Sequence, residues 1–363
     1  MEVGIIGLPN AGKTTLFNAL TKAGAEVAAY PFTTIGSNVG IAEVPDERLH
    51  QIAKVVSSEK VVPATVRFVD IAGLVRGASR GEGLGNQFLG HIREVDAIAH
   101  VVRCFESPTV SHVEGGVDPQ RDIEVVELEL ILADLKVAEA ALEKVEKKAK
   151  SGDKEALKRA DALSRAKRAL EAGKLLKSSD LGDEDRKALA GISFLTDKPV
   201  IYVANATESE IGGSEGPAVS KVKEMAKARR AESVEICAKL EEELADLSDE
   251  EANEYLAAIG LEERGLDRLA EAAYRLLNLV TFFTIESGEC RAWPVKAGTK
   301  APAAAGKIHT DMERGFIKAE VVPWRVLVES GSFAAAREKG LLLVEGKEYV
   351  VRDGDVILFK FAA

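Results

Sequence analysis

The feature that most constrains the fold of this chain is a glycine-rich run near its start, Gly7-Leu8-Pro9-Asn10-Ala11-Gly12-Lys13-Thr14. The run fits G-x-x-x-x-G-K-S/T, the pattern of a phosphate-binding loop. Residues 1–6 before it are mostly apolar and predict a buried strand, and apolar residues at helical spacing follow it, among them Leu16 and Leu20. Strand, glycine loop and helix are the context in which this pattern binds phosphate. The sequence therefore predicts an α/β fold organised around a nucleotide site.

The chemistry of such a loop follows from its backbone. Glycines at 7 and 12 let main-chain N–H groups approach a phosphate closely, and the following helix points its positive end at the same group. Lys13 reaches the β- and γ-phosphates as a point charge, and the Thr14 hydroxyl is placed to bind Mg²⁺. We expect the nucleotide phosphates to contact Asn10, Ala11, Gly12, Lys13, Thr14 and Thr15.

Two further segments complete the expected metal and γ-phosphate site. The loop Tyr30-Pro31-Phe32-Thr33-Thr34 lies where nucleotide switches carry a threonine that closes over Mg²⁺, although taken alone it is equally consistent with a surface loop. Either Thr33 or Thr34 could take that role, and we favour Thr34. An apolar strand over residues 66–70 ends in Asp70, which is expected to support the metal. Gly73 follows in the pattern D-x-x-G, and its N–H is the expected sensor of the γ-phosphate. The predicted metal residues are thus Thr14, Thr34 and Asp70.

The residue that follows Gly73 departs from the Ras-type pattern. Ras-type GTPases place a glutamine there to orient the attacking water, whereas this chain has Leu74, which cannot polarise water. Either hydrolysis is slow or another group positions the water. His112, on a predicted loop, is a candidate for that contact, and a solvent-exposed histidine is at least as good an interpretation. His100 lies within an apolar strand and is interpreted as a core histidine.

A second departure concerns the base. The strand before Asn205 is followed by Asn205-Ala206-Thr207-Glu208, at the place where GTPases carry N-K-x-D. The aspartate of that pattern accepts two hydrogen bonds from guanine, and the extra methylene of Glu208 displaces its carboxylate. Guanine pairing is therefore expected to be weak, while Asn205 remains able to bind an adenine edge. Residues 234–240 resemble the loop whose backbone lies near the purine, which adds Ala238 to the expected base contacts.

The chain order predicts three parts. Residues 1–120 and 190–279 are expected to form a discontinuous nucleotide-binding domain, interrupted by a helical hairpin over residues 121–189 whose second helix runs from 154 to 171. Residues 280–363 predict a small mixed β-grasp-like domain with a helix extending from about 305 to 318. The acidic stretch 241–251 reads as a solvated helix and linker. The hairpin tip is basic and is either a solvated face or a contact for RNA, through Lys144, Lys147, Lys148, Lys150, Lys154, Lys158 and Arg159.

Composition sets broad limits on partners. The 363 residues carry a net charge of −11, which argues against nucleic-acid binding through global charge but leaves a local basic patch open. Cys104, Cys237 and Cys290 share no metal-ligand spacing, and a reducing cytoplasm is the expected compartment. No apolar run is long enough to cross a bilayer, so no membrane partner is expected.

Taken together, these motifs resemble the YchF/Obg-like ATPases over essentially the full chain. The resemblance rests on the phosphate loop, the Tyr-Pro-Phe-Thr-Thr loop, Asp-Ile-Ala-Gly-Leu at 70–74, Asn205 to Glu208, and Gly306-Lys307-Ile308-His309-Thr310-Asp311 in a segment that looks like a TGS domain. It implies a P-loop NTPase with an inserted coiled-coil hairpin and a C-terminal TGS domain. It also implies hydrolysis of ATP in preference to GTP, with Mg²⁺ as cofactor, and association with the ribosome or a ribosomal subunit through rRNA or tRNA.

The same resemblance assigns individual roles. His112 matches the family's loop histidine that is implicated in hydrolysis, and we group it with Lys13 and Gly73 as the expected catalytic residues. Asn10 matches an asparagine that binds K⁺ in related NTPases, which makes potassium stimulation a hypothesis. Two alternatives stay open: a GTP-hydrolysing translational GTPase, and a nucleotide-gated binding module with little catalysis of its own.

Overall fold

A computed structural model describes residues 1–27, 38–71, 84–107, 112, 115–150, 152–213 and 215–362. The chain divides into two compact units. The first comprises Met1–Ala42 and Arg67–Ala272, and the second comprises Glu43–Val66 and Ala273–Ala363. In the described residues no helix is both long and apolar enough to cross a membrane.

The strands alternate with helices in the first unit and cluster in the second. In chain order they are β1 Glu2–Ile6, β2 Val39–Val44, β3 Lys60–Val62, β4 Ala64–Asp70, β5 Ala97–Arg103, β6 Val200–Asn205, β7 Glu232–Ile236, β8 Leu279–Glu286, β9 Glu289–Lys296, β10 Phe316–Pro323, β11 Leu343–Glu345 and β12 Asp355–Phe361.

Helices accompany both sheets, and short 3₁₀ turns occur at Leu176–Ser178 and Leu195–Asp197. In chain order the α-helices are α1 Lys13–Val27, α2 Glu47–Val56, α3 Leu84–Glu94, α4 Pro119–Ala149, α5 Lys154–Glu171, α6 Asp183–Ala188, α7 Glu208–Ile211, α8 Pro217–Ala228, α9 Ala238–Leu244, α10 Asp249–Ala258, α11 Gly265–Leu276, α12 Ala301–Ile308, α13 Thr310–Arg314, α14 Trp324–Ser330 and α15 Phe333–Glu338.

The sheet of the first unit has the order β2-β4-β1-β5-β6-β7. Strand β1 is parallel to both β4 and β5, and β5, β6 and β7 continue the parallel array. The chain builds one side of β1 first and the other side afterwards, so β1 lies at the switch point of the sheet. Every residue of β5 is buried, as expected for a parallel strand covered on both faces. In such sheets ligands bind beyond the carboxyl ends of the strands at the switch point, which is where the glycine-rich loop lies.

The predicted helical hairpin is present between β5 and β6. Its first helix, α4, has 31 residues and would extend about 46 Å, and the second, α5, begins at Lys154 and ends at Glu171 as predicted. Asp153 caps α5 by accepting hydrogen bonds from the N–H groups of Glu155 and Ala156. Near its start α4 packs on the sheet through Val125, Val126 and Leu130. The outer part of α4 packs against α5 and shares a separate core, which includes Ala138, Leu163 and Leu170.

The second unit is a mixed sheet of order β11-β10-β12-β8-β9-β3 with helices packed on it. Its β8–β9 and β10–β12 pairs are antiparallel, and β12 runs parallel to β8. The expected helix through residue 318 is wrong in its second half. Helix α13 ends at Arg314 and β10 begins at Phe316, because residues 319–322 (Ala-Glu-Val-Val) pair with β12 and contribute Ala319 and Val321 to the core.

Candidate nucleotide site

The loop between β1 and α1 has the close backbone packing that its two glycines permit. A Cβ atom at Gly7 would lie 2.3 Å from the carbonyl oxygen of Val101, and one at Gly12 would lie 2.0 Å from Nδ2 of Asn205. The backbone φ of Gly12 is +93°, and Asn10 also has a positive φ of 63°. An asparagine tolerates that conformation better than most residues. Both glycines are therefore required by the neighbouring strands as well as by any phosphate.

Lys13 opens α1 and is 8% exposed. Its Nζ donates hydrogen bonds to the carbonyl oxygens of Gly7 and Leu8, each at 3.0 Å, so the side chain curls back over the loop. Burial lowers the pKa of Lys13 to about 8, while the nearby Asp70 carboxylate favours its charged form. The loop thus holds an ammonium group in a poorly solvated position, where an anion would stabilise it strongly.

Asp70 ends β4 and pairs in register with Ile5 of β1, which leads into the loop. Burial raises the pKa of its carboxyl group, and Lys13 opposes that shift. Thr14 lies in the first turn of α1 and is exposed. A hydroxyl and a carboxylate provide the oxygen donors that Mg²⁺ prefers. The predicted residues Thr34 and Gly73 lie outside the described residues.

Asn205 is 4% exposed at the end of β6. Its Nδ2 donates to the carbonyl oxygen of Ala11 at 2.9 Å, and its Oδ1 accepts from the N–H of Ala238 at 3.0 Å. The side chain therefore joins the phosphate loop to the start of α9. Ala11 and Ala238, two of the residues predicted to contact the nucleotide, both lie close to it. This bridging geometry was not predicted, and it engages both ends of the amide.

Glu208 begins α7 and is partly exposed. Its Oε1 accepts a hydrogen bond of 3.0 Å from the hydroxyl of Tyr255 in α10. The carboxylate thus has a protein partner outside the N-x-x-E run.

A second link joins α1 to α9, where Asn18 Nδ2 donates to Glu242 Oε1 at 3.0 Å. The elements that carry the predicted base residues are therefore tied to each other and to the helix after the loop.

Arg103 and Phe105 also border the glycine loop. Arg103 is 2% exposed at the end of β5, its Nε donates to the carbonyl oxygen of Phe105 at 3.0 Å, and its guanidinium lies 4.6 Å from the Phe105 ring centroid. The same ring lies 4.0 Å from the position that a Cβ at Gly12 would occupy. The sequence offered one signal for these contacts, an arginine at the end of a mostly apolar strand, because a buried arginine needs a partner.

The two histidines of interest have different surroundings. His100 is 3% exposed within β5, and burial, followed by the charge of Lys13, lowers its pKa to about 3, which agrees with its interpretation as a core histidine. His112 is not a solvent-exposed histidine, because its side chain is 5% exposed. Its Nε2 lies 2.7 Å from Oδ2 of Asp122, in the first turn of α4.

Comparison with known proteins places these features in a family. The chain is 51% identical over 362 residues to "Ribosome-binding ATPase YchF" of Bacillus subtilis (strain 168), with 99% of each chain covered. It is 49% identical over 360 residues to the protein of the same name from Escherichia coli O157:H7, again with 99% coverage of each. This chain belongs to the YchF family.

Structural and family-model comparisons agree with that assignment. A solved structure titled "Structure of the Schizosaccharomyces pombe YchF GTPase" superposes with a TM-score of 0.87 at 34% identity, covering 99% of this chain and 97% of that chain. A family model described as "50S ribosome-binding GTPase" matches residues 2–142. A model for the C-terminal part of YchF GTPases, described as "Protein of unknown function (DUF933)", matches residues 279–362. The resemblance inferred from the motifs is therefore confirmed, together with the α/β P-loop fold.

Within this YchF-family site, the motifs predicted where residues lie on the sheet better than which side chains contact each other. Lys13, Asp70 and Asn205 all lie at the carboxyl edge of the parallel sheet, as their positions after β1, β4 and β6 predict. Asp122 and Tyr255 were missed because they are ordinary helix residues in the sequence. Only the tertiary contact with His112 or Glu208 distinguishes them from other charged or aromatic helix positions.

Proposed function

We propose that this chain binds and hydrolyses ATP in preference to GTP and acts as a ribosome-associated switch in the cytoplasm. The observation that carries the proposal is the buried Lys13 ammonium inside a loop closed by Gly7 and Gly12, beside the Asp70 carboxylate. Full-length relatives at 51% and 49% identity that are named ribosome-binding ATPases support it. Hydrolysis releases ADP and phosphate.

The chemistry assigned to this site is in-line attack of water on the γ-phosphate. Lys13 and the N–H groups of the glycine loop stabilise the charge that develops on the phosphate oxygens. We assign the N–H of Gly73 to the γ-phosphate and His112 to the attacking water. That assignment compensates for Leu74, which cannot orient water.

The metal residues in this proposal are Thr14, Thr34 and Asp70. The described part of the site fits Mg²⁺, since Thr14 and Asp70 offer oxygen donors at the ends of adjoining elements. When bound, Mg²⁺ supplies further neutralisation of the β- and γ-phosphate oxygens. Asn10 is assigned to K⁺, and equal turnover in Na⁺ and K⁺ would contradict that assignment.

The preference for ATP rests on the base motif. The Asn205 amide bonds Ala11 and Ala238, and the Glu208 carboxylate bonds Tyr255. These contacts differ from those of the N-K-x-D pattern, in which an aspartate pairs with guanine and a lysine packs along the base. We therefore assign base recognition to the edge of the site that carries Glu208 and Ala238, with adenine favoured, while Asn205 supports the nucleotide by holding Ala11 and Ala238 in place. GTP is expected to bind more weakly at the same place.

The ribosome contact is assigned to the hairpin tip, with rRNA or tRNA as its ligand. Two of its basic side chains form exposed pairs, Lys147 with Glu143 at 3.0 Å and Lys158 with Glu155 at 3.1 Å. Such pairs are weak and break readily when a phosphate backbone competes. Co-sedimentation with ribosomes at increasing salt, with ATP, with ADP and without nucleotide, tests both the contact and its dependence on nucleotide.

The deciding experiment measures equilibrium binding of labelled ATP and GTP in the presence of Mg²⁺, followed by steady-state hydrolysis of each. Tighter ATP binding with ATP turnover supports the proposal, and K13A is expected to lose both. Equal or tighter GTP binding would favour the translational GTPase. Tight ATP binding without turnover, even with ribosomes added, would favour a nucleotide-gated binding module.

A further inference from the structure

His112 belongs to a compact hydrogen-bonded cluster with two residues of the first turn of α4. Its Nε2 lies 2.7 Å from Oδ2 of Asp122, and its Nδ1 lies 3.4 Å from Nη2 of Arg121. Arg121 also donates from Nε and Nη2 to the other carboxylate oxygen of Asp122, at 3.1 and 2.9 Å. The side chains of His112 and Asp122 are each 5% exposed, so the contacts are sheltered from solvent.

The contact with Asp122 fixes the orientation of the imidazole ring. Nη2 of Arg121 carries two hydrogens and donates to Oδ1 of Asp122 at 2.9 Å and to the carbonyl oxygen of Gly116 at 2.7 Å, so its 3.4 Å contact with Nδ1 does not set the state of that nitrogen. A carboxylate accepts, so the nitrogen that faces Asp122 must carry the proton. The ring is therefore held with Nε2 donating to Asp122 and with Nδ1 facing away from that carboxylate. The Nδ1 contact is the longer of the two, and a water is therefore better able to compete for Nδ1 than for Nε2.

The carboxylate that orients the ring is itself rigidly held. Asp118 is the N-cap of α4 and accepts from the N–H of Arg121, so Asp122 is not needed as the cap. The next residue, Ile123, is fully buried in a core cluster that includes Val102 and Cys104. Val102 lies in β5, the strand beside β1 and its glycine loop, and Cys104 directly follows that strand. Asp122 is thus fixed to the same edge of the sheet as the nucleotide site.

We propose that Asp122 is a positioning residue for His112. It holds the ring with Nε2 donating to the carboxylate and directs Nδ1 to the attacking water. Because Asp122 belongs to the first turn of α4, the same bond links the histidine to the base of the helical hairpin. The inference rests on the proposed role of His112 in hydrolysis.

The test compares D122N with E124Q in the full-length protein. Glu124 lies on the same turn, is exposed and contacts Gln120 rather than His112, which makes E124Q a matched loss of one carboxylate. We expect D122N to lower kcat for ATP by about tenfold or more, up to the loss seen in H112A, with Kd for ATP unchanged. E124Q is expected to keep the wild-type kcat. The double variant H112A/D122N should be no slower than H112A, since Asp122 acts through the ring.

A spectroscopic readout separates positioning from folding. The imidazole ¹⁵N shifts of His112, assigned by their absence in H112A, should show a protonated Nε2 in the wild type. The opposite tautomer in the wild type would overturn the inference even if D122N failed to fold. Undiminished turnover of D122N beside a slow H112A would overturn the inference alone. Undiminished turnover of H112A would instead remove His112 from the proposed function, and the inference would fail with it.

Discussion

Burial lowers the pKa of the Lys13 ammonium to about 8, and the neighbouring Asp70 carboxylate only partly opposes the shift. A triphosphate beside the ammonium stabilises its charged form, so the pKa of Lys13 rises on binding. Binding must then take up a proton wherever the pH exceeds about 8. We expect Kd for ATP to increase with pH above that value, by up to about tenfold per pH unit. Calorimetry in buffers of different ionisation enthalpy measures both Kd and the proton uptake.

The control for this prediction is K13R, because arginine remains charged over the same pH range. Whatever ATP affinity that variant retains should not change as the pH rises. A wild-type Kd that stays flat above about pH 8 would show that Lys13 is already fully charged in the free protein.

At the base-binding edge, the contacts predict different effects for two neighbouring residues. N205A removes the bonds to Ala11 and Ala238, so ATP and GTP affinity should fall together with their ratio unchanged. E208D restores the shorter carboxylate of N-K-x-D and should raise GTP affinity relative to ATP by about tenfold. Competition between labelled ATP and GTP measures both ratios. A changed ratio in N205A would mean that this amide reads the base directly.

The residues that the sequence located correctly are those whose role depends on strand ends. Asp70 and Asn205 each end an apolar strand and Lys13 follows one, and parallel strands bring their carboxyl ends to one edge. The contacts between side chains could not be obtained in this way. Nothing in the local pattern shows that Asn205 bridges two loops or that Asp122 meets His112, since both contacts depend on how distant elements pack.

Among the elements, the helical hairpin depends on one buried carboxylate. Asp134 of α4 is fully buried and accepts three hydrogen bonds, from the N–H of Leu195 at 3.0 Å and from the N–H and hydroxyl of Thr196, each at 2.7 Å. D134A leaves those donors unpaired in the interior, at about 1–3 kcal/mol for each unsatisfied group. We expect the free energy of unfolding to fall by about 3 kcal/mol or more, measured by urea denaturation.

The matched control lies on the other helix of the hairpin. Asp161 of α5 pairs with Arg165 at 2.7 Å, and its side chain is 57% exposed. Exposed pairs of this kind contribute little, so D161A should change stability by no more than about 0.5 kcal/mol. Equal losses in the two variants would mean that the Asp134 contacts do not anchor the 3₁₀ turn Leu195–Asp197.

Element prediction succeeded where one local signal was strong. The start of α5 at Lys154 was predicted correctly, and in the structure Asp153 caps it. Element prediction failed where burial decided the outcome. Glu241, assigned to a solvated acidic stretch, is 2% exposed, and its Oε1 accepts from the N–H of Gly265 at the start of α11 at 2.7 Å. Charge density alone did not distinguish that residue from its exposed neighbours.

At the scale of the whole molecule, the second unit is not built from the C-terminal residues alone. The segment Glu43–Val66, placed in the nucleotide domain from the sequence, packs with Ala273–Ala363. Its strand β3 pairs in parallel with β9 from Lys60 to Val62. The predicted division at residue 280 follows from composition and chain order. The pairing of β3 with β9 joins residues more than two hundred positions apart, so no local sequence pattern indicates it. The unit is therefore assembled from two distant parts of the chain.

Arg48 of α2 is the side chain that makes this assembly testable. It bonds Asp46 at 2.8 Å and Asp353 at 2.6 Å, these carboxylates raise its pKa, and its guanidinium lies 5.5 Å from the Phe283 ring. R48M is expected to lower the free energy of unfolding of this unit by about 2 kcal/mol, since both carboxylates lose a charged donor. Both tryptophans, at positions 293 and 324, lie in the second unit, so their fluorescence in urea follows its unfolding within the intact chain. K54M changes an exposed lysine on the same helix and should leave the fluorescence transition unchanged. If R48M also left that transition unchanged, the C-terminal residues would fold without support from Glu43–Val66. The domain boundary predicted near residue 280 would then describe the part of the chain that is stable on its own.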